Sequence, residues 1–206
     1  MKIEFDREGV DTAEESDDAE ASEEDFDDPD LYESESTSTL LRKQRIDLAK
    51  FKVMLAGKKL RLANVRGDGN CFFRAIADQL YGSEFRHNKL RKDVVDHLKA
   101  NKEEYRLFME NDIKIDKYIR LMSRDGQWGG QLEMSILAKI HKFNIIMYQV
   151  DYDDNAQEFH PWNTKGLKTV HVTYHRGRHY NSVRSVNDPG TGPAVNFLIQ
   201  HPLMKK

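Results

Sequence analysis

From about residue 40 the chain carries apolar residues at helical spacing. Leu41, Leu48, Phe51, Val53 and Leu55 stand among lysines and arginines and predict an amphipathic helix over 39–57. Residues 60–65 alternate apolar and polar, which predicts a short strand. That strand runs into Gly67-Asp68-Gly69-Asn70, a cluster of turn formers. Phe72, Ile76 and Leu80 then share a face, so a helix is expected over 71–80, ending at Gly82. Leu90, Val94, Val95 and Leu98 predict a second helix over 87–100, and shorter helical patches follow at 105–109 and 113–121. Trp128-Gly129-Gly130 interrupts the pattern, which Leu132, Ile136, Leu137 and Ile140 resume up to His141.

Beyond His141 the period changes. Residues 144–150 read as a buried strand and 153–155 as a turn. Residues 158–160, 169–174 and 180–183 complete a small sheet, with Arg176-Gly177-Arg178 as the hairpin between its last two strands. Helices gathered before strands predict an α+β class. The expected organisation is a tail over 1–38, the amphipathic helix over 39–57, a folded domain over 58–186 and a loosely ordered extension over 187–206.

Charge sharpens that division. Residues 1–40 carry 17 acids against 2 bases, a net of −15; residues 41–206 carry 18 acids against 30 bases, a net of +12. So acidic and serine-rich a segment cannot bury enough apolar surface to offset its ordering entropy, so the tail is expected to be disordered. The chain has no apolar run of about 18 residues, and its N-terminus has no signal-peptide core, so neither membrane association nor secretion is expected. A single cysteine fits a reducing cytoplasm or nucleus. One Cys and scattered His give no metal-ligand spacing, and no phosphate loop is present, so no metal or cofactor is expected.

That cysteine, Cys71, follows the glycine-containing loop and opens the helix over 71–80. A helix N-terminus favours thiolate, and a tight turn lets backbone N–H groups point at an oxyanion. The expected donors are the amides of Asp68, Gly69, Asn70 and Cys71. A thiol nucleophile also needs a base, and His179, after the hairpin, is placed to supply one. Asn181 is two residues on and shares its strand face, so its amide oxygen is expected to accept the Nδ1–H of His179 and fix the tautomer. His171 and His175 read as structural or exposed.

Three blocks carry a family resemblance: Gly67-Asp68-Gly69-Asn70-Cys71-Phe72-Phe73-Arg74-Ala75, Trp128-Gly129-Gly130, and His179-Tyr180-Asn181-Ser182-Val183. In that order they resemble the ovarian-tumour (OTU) family of cysteine deubiquitinases, over about residues 60–185. The resemblance implies a papain-like cysteine protease fold, with helices packed on a small, mainly antiparallel sheet. It implies thiol-dependent hydrolysis after the C-terminal glycine of ubiquitin, with ubiquitin, polyubiquitin chains and ubiquitinated proteins as partners of a monomeric enzyme. It places Asp68 beside Cys71, His179 and Asn181 among the catalytic residues, although Asp68 is equally a turn former or helix cap. Trp128, Gly129 and Gly130 are expected to border a channel narrow enough for a Gly-Gly tail, and Glu133 to meet an arginine of that tail or to stand exposed on its helix. Two other classes compete: a silent ubiquitin-binding scaffold, and a nucleic-acid binder suggested by the basic domain, whose dispersed charges argue against it. A protease for a ubiquitin-like modifier would use the same chemistry.

Overall fold

The computed structural model describes residues 37–109, 114–150, 157–159, 168–175 and 179–195. The expected tail, apart from residues 37 and 38, and the 153–155 turn and 176–178 hairpin lie outside these residues, as does the extension beyond 195. In chain order the elements are α1 (Thr37–Gly57), β1 (Leu60–Ala63), α2 (Cys71–Tyr81), a 3₁₀ turn (Glu84–Arg86), α3 (His87–Ala100), α4 (Lys102–Arg106), α5 (Ile115–Met122), α6 (Gln131–His141), β2 (Asn144–Tyr148), β3 (Gln157–Phe159), β4 (Thr169–His175) and β5 (His179–Ser185).

The five strands form one sheet in the order β1-β5-β4-β2-β3. Only β2 and β4 pair in parallel; the other neighbours are antiparallel. Strand β2 explains the layering. Its apolar run, Ile145-Ile146-Met147-Tyr148, is buried on both faces, as expected of a strand covered on both sides. Ile145 and Met147 join Val170, Val172 and Tyr180 in the main core with α2, α3, α5 and α6. Ile146 and Tyr148 join Phe51, Leu55, Leu60 and Val183 in a second core under α1. The order is therefore α1, sheet, remaining helices.

Side-chain alternation then fixes which residues of β4 and β5 face α1. Val170, Val172, Tyr174 and Tyr180 belong to the main core and Val183 to the α1 core. His171, Thr173 and His175, with His179 and Asn181, consequently share the α1 side. The register sets Thr173 opposite Asn181 and His175 opposite His179.

Several expectations shift. Val53 is 76% exposed, although α1 does bury Phe51 and Leu55. Strand β1 stops at Ala63, and α4 ends at Arg106, leaving Leu107 and Phe108 exposed. The stretch after Asn187 was expected to be loose, yet its described part is pinned. Asp188 accepts the N–H groups of Gly190 and Val195, and the Ala194 N–H donates to the Gln79 carbonyl. Proline and glycine mark irregular backbone; whether it is ordered depends on where its hydrogen bonds go. Among the described residues no helix is long and apolar enough to cross a membrane.

Candidate active site

Cys71 is the first residue of α2 and is buried. Its sulfur lies near the backbone N–H of Tyr180, on β5 immediately after His179. The helix N-terminus alone would favour thiolate, but burial dominates and pushes the thiol up. The amides of Tyr180, Phe72 and Cys71 itself pull the other way, and the nearby Asp68 carboxylate adds to the upward push. A thiol so placed is protonated at rest, and its nucleophilicity depends on a base that takes the proton.

His179 opens β5, and its ring lies over Gly67. A Cβ at Gly67 would stand 3.6 Å from the ring's Nδ1 and Cε1. The ring's Nε2 donates to Asn181 Oδ1 at 3.1 Å. The expected donor was Nδ1. Side chains two apart on a strand stand about 6.6 Å from each other, so the far ring nitrogen is the one that spans the gap. Nδ1 is thereby left on the side of the Cys71 loop. Asn181 is buried, and its Oδ1 also accepts the Val65 N–H at 3.0 Å. A buried amide whose oxygen already meets a fixed backbone donor cannot flip without setting donor against donor.

Asp68 makes a forked pair with Arg74: Nε to Oδ1 at 3.0 Å and Nη2 to Oδ2 at 2.5 Å. Its Oδ1 also accepts the Asn70 N–H at 3.2 Å. The Arg74 guanidinium holds the Asp68 carboxyl well below the usual carboxylate range, against a weaker push from burial. The imidazole is met by Asn181, whereas Asp68 braces the loop. Because the Asn70 N–H is engaged by Asp68, the expected set of oxyanion donors loses that member. Cys71 N–H sits in the first turn of α2, where no intrahelical acceptor exists, and Gly69 N–H lies in the same loop.

The Asn70 side chain also serves the loop. Its Oδ1 accepts Arg91 Nη2 at 2.6 Å and the Gly126 N–H at 3.0 Å. Gly69 has φ +76°, and a Cβ there would come within 1.8 Å of the Gly126 carbonyl oxygen, so only glycine fits. Arg91 ties the arrangement together. Beyond Asn70 it donates to the carbonyls of Gln127 (2.7 Å) and Met122 (3.2 Å) and lies over the Phe73 ring, 4.3 Å from its centroid. Sequence reasoning passed over Arg91. The available signal was a cation on the apolar stripe of α3, one turn before Val94 and Val95.

An open cleft of about 400 Å³ is lined by Trp128, Gly129, Gly130, Glu133, Tyr174 and Tyr180, among others. Tyr180 connects it to the thiol. Trp128 is 52% exposed, so it stands at the cleft rather than in the core. Gly129 is buried; a Cβ there would come within 2.7 Å of the Phe72 ring. Glu133 does not stand exposed on its helix. It is 1% exposed, accepting the Gly130 N–H (2.7 Å) and the Tyr118 hydroxyl (2.5 Å), and so caps α6. The tyrosines of this cleft also went unremarked in the sequence. Tyr180 alternates with His179 and Asn181 and so had to face the opposite side. Among the described residues no group of three or more His, Cys, Asp or Glu is placed to hold a metal ion.

Residues 66–180 match the family model described as OTU-like cysteine protease. An Arabidopsis thaliana protein, OVARIAN TUMOR DOMAIN-containing deubiquitinating enzyme 7, is 37% identical over 156 residues, covering 75% of this chain and 40% of that protein. OTU domain-containing protein 3 of Mus musculus is 33% identical over 163 residues, covering 75% of this chain and 39% of its own length. This chain thus spans about two-fifths of these relatives. Among solved structures, the OTUD1 OTU domain aligns with a TM-score of 0.64 at 19% identity, covering 70% of this chain and 98% of that one. An OTU domain solved in complex with ubiquitin aligns with a TM-score of 0.51 at 21% identity, covering 64% of this chain and 77% of the other.

Proposed function

This chain belongs to the OTU-like cysteine protease family, and from that premise we propose that it is a deubiquitinase: it hydrolyses the isopeptide or peptide bond after the C-terminal glycine of ubiquitin. Ubiquitin chains and ubiquitinated proteins are its substrates. The relative at 37% identity bears the name deubiquitinating enzyme. The observation that carries the reading is the orientation of His179, whose Nε2 is committed to Asn181 while Nδ1 faces the nucleophile loop.

The chemistry follows from that orientation. His179 Nδ1 takes the proton of the Cys71 thiol as the sulfur attacks the glycine carbonyl carbon. The resulting oxyanion accepts hydrogen bonds from the remaining backbone N–H groups of the expected set, those of Asp68, Gly69 and Cys71. The imidazolium, steadied by the Asn181 oxygen, gives its proton to the departing lysine amine as the C–N bond breaks. A thioester remains. Water, deprotonated by His179, adds to it, and its collapse releases the carboxylate and restores the thiol. Asn181 carries no charge, so it orients the ring without neutralising the imidazolium. The cleft beside Tyr180 receives the Gly-Gly tail, between the aromatic faces of Trp128, Tyr174 and Tyr180.

The test is turnover of ubiquitin joined through its C-terminus to a fluorogenic amine, with Cys71→Ser as the control. Wild type releases the amine and Cys71→Ser does not. Release from a ubiquitin-like modifier but not from ubiquitin would reassign the substrate, and release by Cys71→Ser would remove the mechanism.

A further inference from the structure

Helix α1 precedes residue 66, where the family match begins, yet it touches the site through the second side of the sheet. Phe51 is fully buried, and its ring centroid lies 4.3 Å from that of His175. His175 Nε2 lies 3.2 Å from Asn181 Nδ2 and 2.9 Å from the Thr173 hydroxyl. Asn181 Oδ1 in turn receives His179 Nε2. We propose that His175 is a positioning residue for the base His179, acting through Asn181, and that α1 holds it in place through Phe51. The proposal rests on the assignment of Cys71 and His179 as nucleophile and base.

Hydrogen-bond roles leave one arrangement. Asn181 Oδ1 meets the Val65 N–H, which can only donate, so Nδ2 is the group that faces His175. Nδ2 can only donate as well, so His175 Nε2 must carry a lone pair. His175 is then neutral with its proton on Nδ1, and the Thr173 hydroxyl shares that single Nε2 lone pair with Asn181 Nδ2. Burial, the largest influence, favours that neutral form; the neighbouring His179 works in the same direction and Asp47 on α1 against it. The amide is thus held at both ends, by Val65 on the oxygen and His175 on the nitrogen. Without His175, the amide keeps its Val65 bond but loses the contact that sets its plane. The oxygen then no longer fixes the His179 ring, and Nδ1 loses its aim. The pairing of His175 with His179 across β4 and β5 makes this contact a consequence of register.

The test measures alkylation of Cys71 by iodoacetamide, which reports base-assisted thiol reactivity without ubiquitin, alongside turnover of the fluorogenic ubiquitin substrate. His175→Leu is expected to lower both alkylation near neutral pH and kcat about 10-fold, with KM nearly unchanged, since misaiming a catalytic group costs rate rather than binding. His175→Gln, whose side-chain oxygen can accept from Asn181 Nδ2, should stay within about threefold of wild type. In an Asn181→Ala background, His175→Leu should change nothing further, because the group through which it acts is gone. Phe51→Leu should give a smaller loss of the same kind and serves if His175→Leu does not fold. Equal kcat and alkylation in wild type, His175→Leu and Phe51→Leu would overturn the positioning role while leaving the enzyme reading intact. Full additivity with Asn181→Ala would make His175 merely structural. A folded wild type with neither turnover nor enhanced alkylation would remove both readings.

Discussion

Helix α2 and strand β5 meet twice, and the two ends of their contact differ in how completely their polar groups are used. At the far end Asp78 accepts Arg184 Nε (2.8 Å), Arg184 Nη2 (3.0 Å) and the Ser182 hydroxyl (2.5 Å). Arg184 also reaches Asp188 at 2.9 Å, and Gln79 donates to Ser182 Oγ and the Val183 carbonyl, each at 2.7 Å. Arg184 has two carboxylate partners and two carbonyl partners, and it is 1% exposed. At the near end the same two elements carry Cys71, His179 and Asn181. There the thiol is buried with no charged group among the described residues bonded to it, and in the proposed mechanism one nitrogen of the imidazole takes the thiol's proton. The far end is closed electrostatically and holds the elements together. The near end keeps hydrogen-bonding capacity in reserve, and reactivity depends on that reserve. One end supplies stability, which lets the other stay incomplete.

This contrast can be broken from either side. The largest effect is expected at the closed end. Arg184→Met leaves Asp78 and Asp188 without their cation and should cost about 3–5 kcal/mol in urea unfolding, with kcat per folded molecule unchanged at low temperature. Next is Gly69→Ala, which forces a left-handed backbone on alanine and a clash with the Gly126 carbonyl. Turnover should fall by about 100-fold, roughly 2.7 kcal/mol of transition-state stabilisation, with a smaller drop in thermal midpoint. Asn181→Ala should lower kcat about 10-fold with KM steady, because the base loses its aim.

The smallest effect is a pH dependence. Burial works against the Asp188 carboxylate, but the Val195 and Gly190 amides and Arg184 outweigh it and hold its carboxyl below the ordinary range. A carboxyl lowered in the folded state contributes stability that is present above its unfolded value of about 3.9 and lost as pH falls from there toward the folded value. Wild type should therefore lose stability below about pH 4 more steeply than Asp188→Asn does. Equal slopes would show that Asp188 is not coupled to folding in this way.

The sequence made the two ends unequally legible. The near end was readable because few residue combinations place one thiol after a glycine-containing turn and a His-x-Asn pair on one strand face. The helices with regular apolar spacing, α2, α3 and α6, were readable for the same kind of reason. The brace around that site was not. Arg91 and His175 act through contacts that exist only once α3 meets the loop and β4 pairs with β5, and a cation on the apolar stripe of α3 marks Arg91 as unusual without saying what it holds. Glu133 was misjudged because a carboxylate at the third helical position reads as exposed until the backbone N–H it caps is seen. The closed network was hidden as well, since Asp78, Arg184 and Asp188 look like ordinary surface charges in a chain rich in them. The ring nitrogen of His179 that meets Asn181 was a matter of reach, which spacing on a strand can predict when the ring's length is counted.

The central claim is that Cys71 is a nucleophile toward ubiquitin's C-terminal carbonyl, activated by His179. A ubiquitin probe bearing a C-terminal thiol-reactive electrophile tests it most directly. The account predicts a covalent adduct with wild type, none with Cys71→Ala and slow formation with His179→Ala. A folded wild type that remains unlabelled, or a Cys71→Ala variant that labels as fast as wild type, would contradict it.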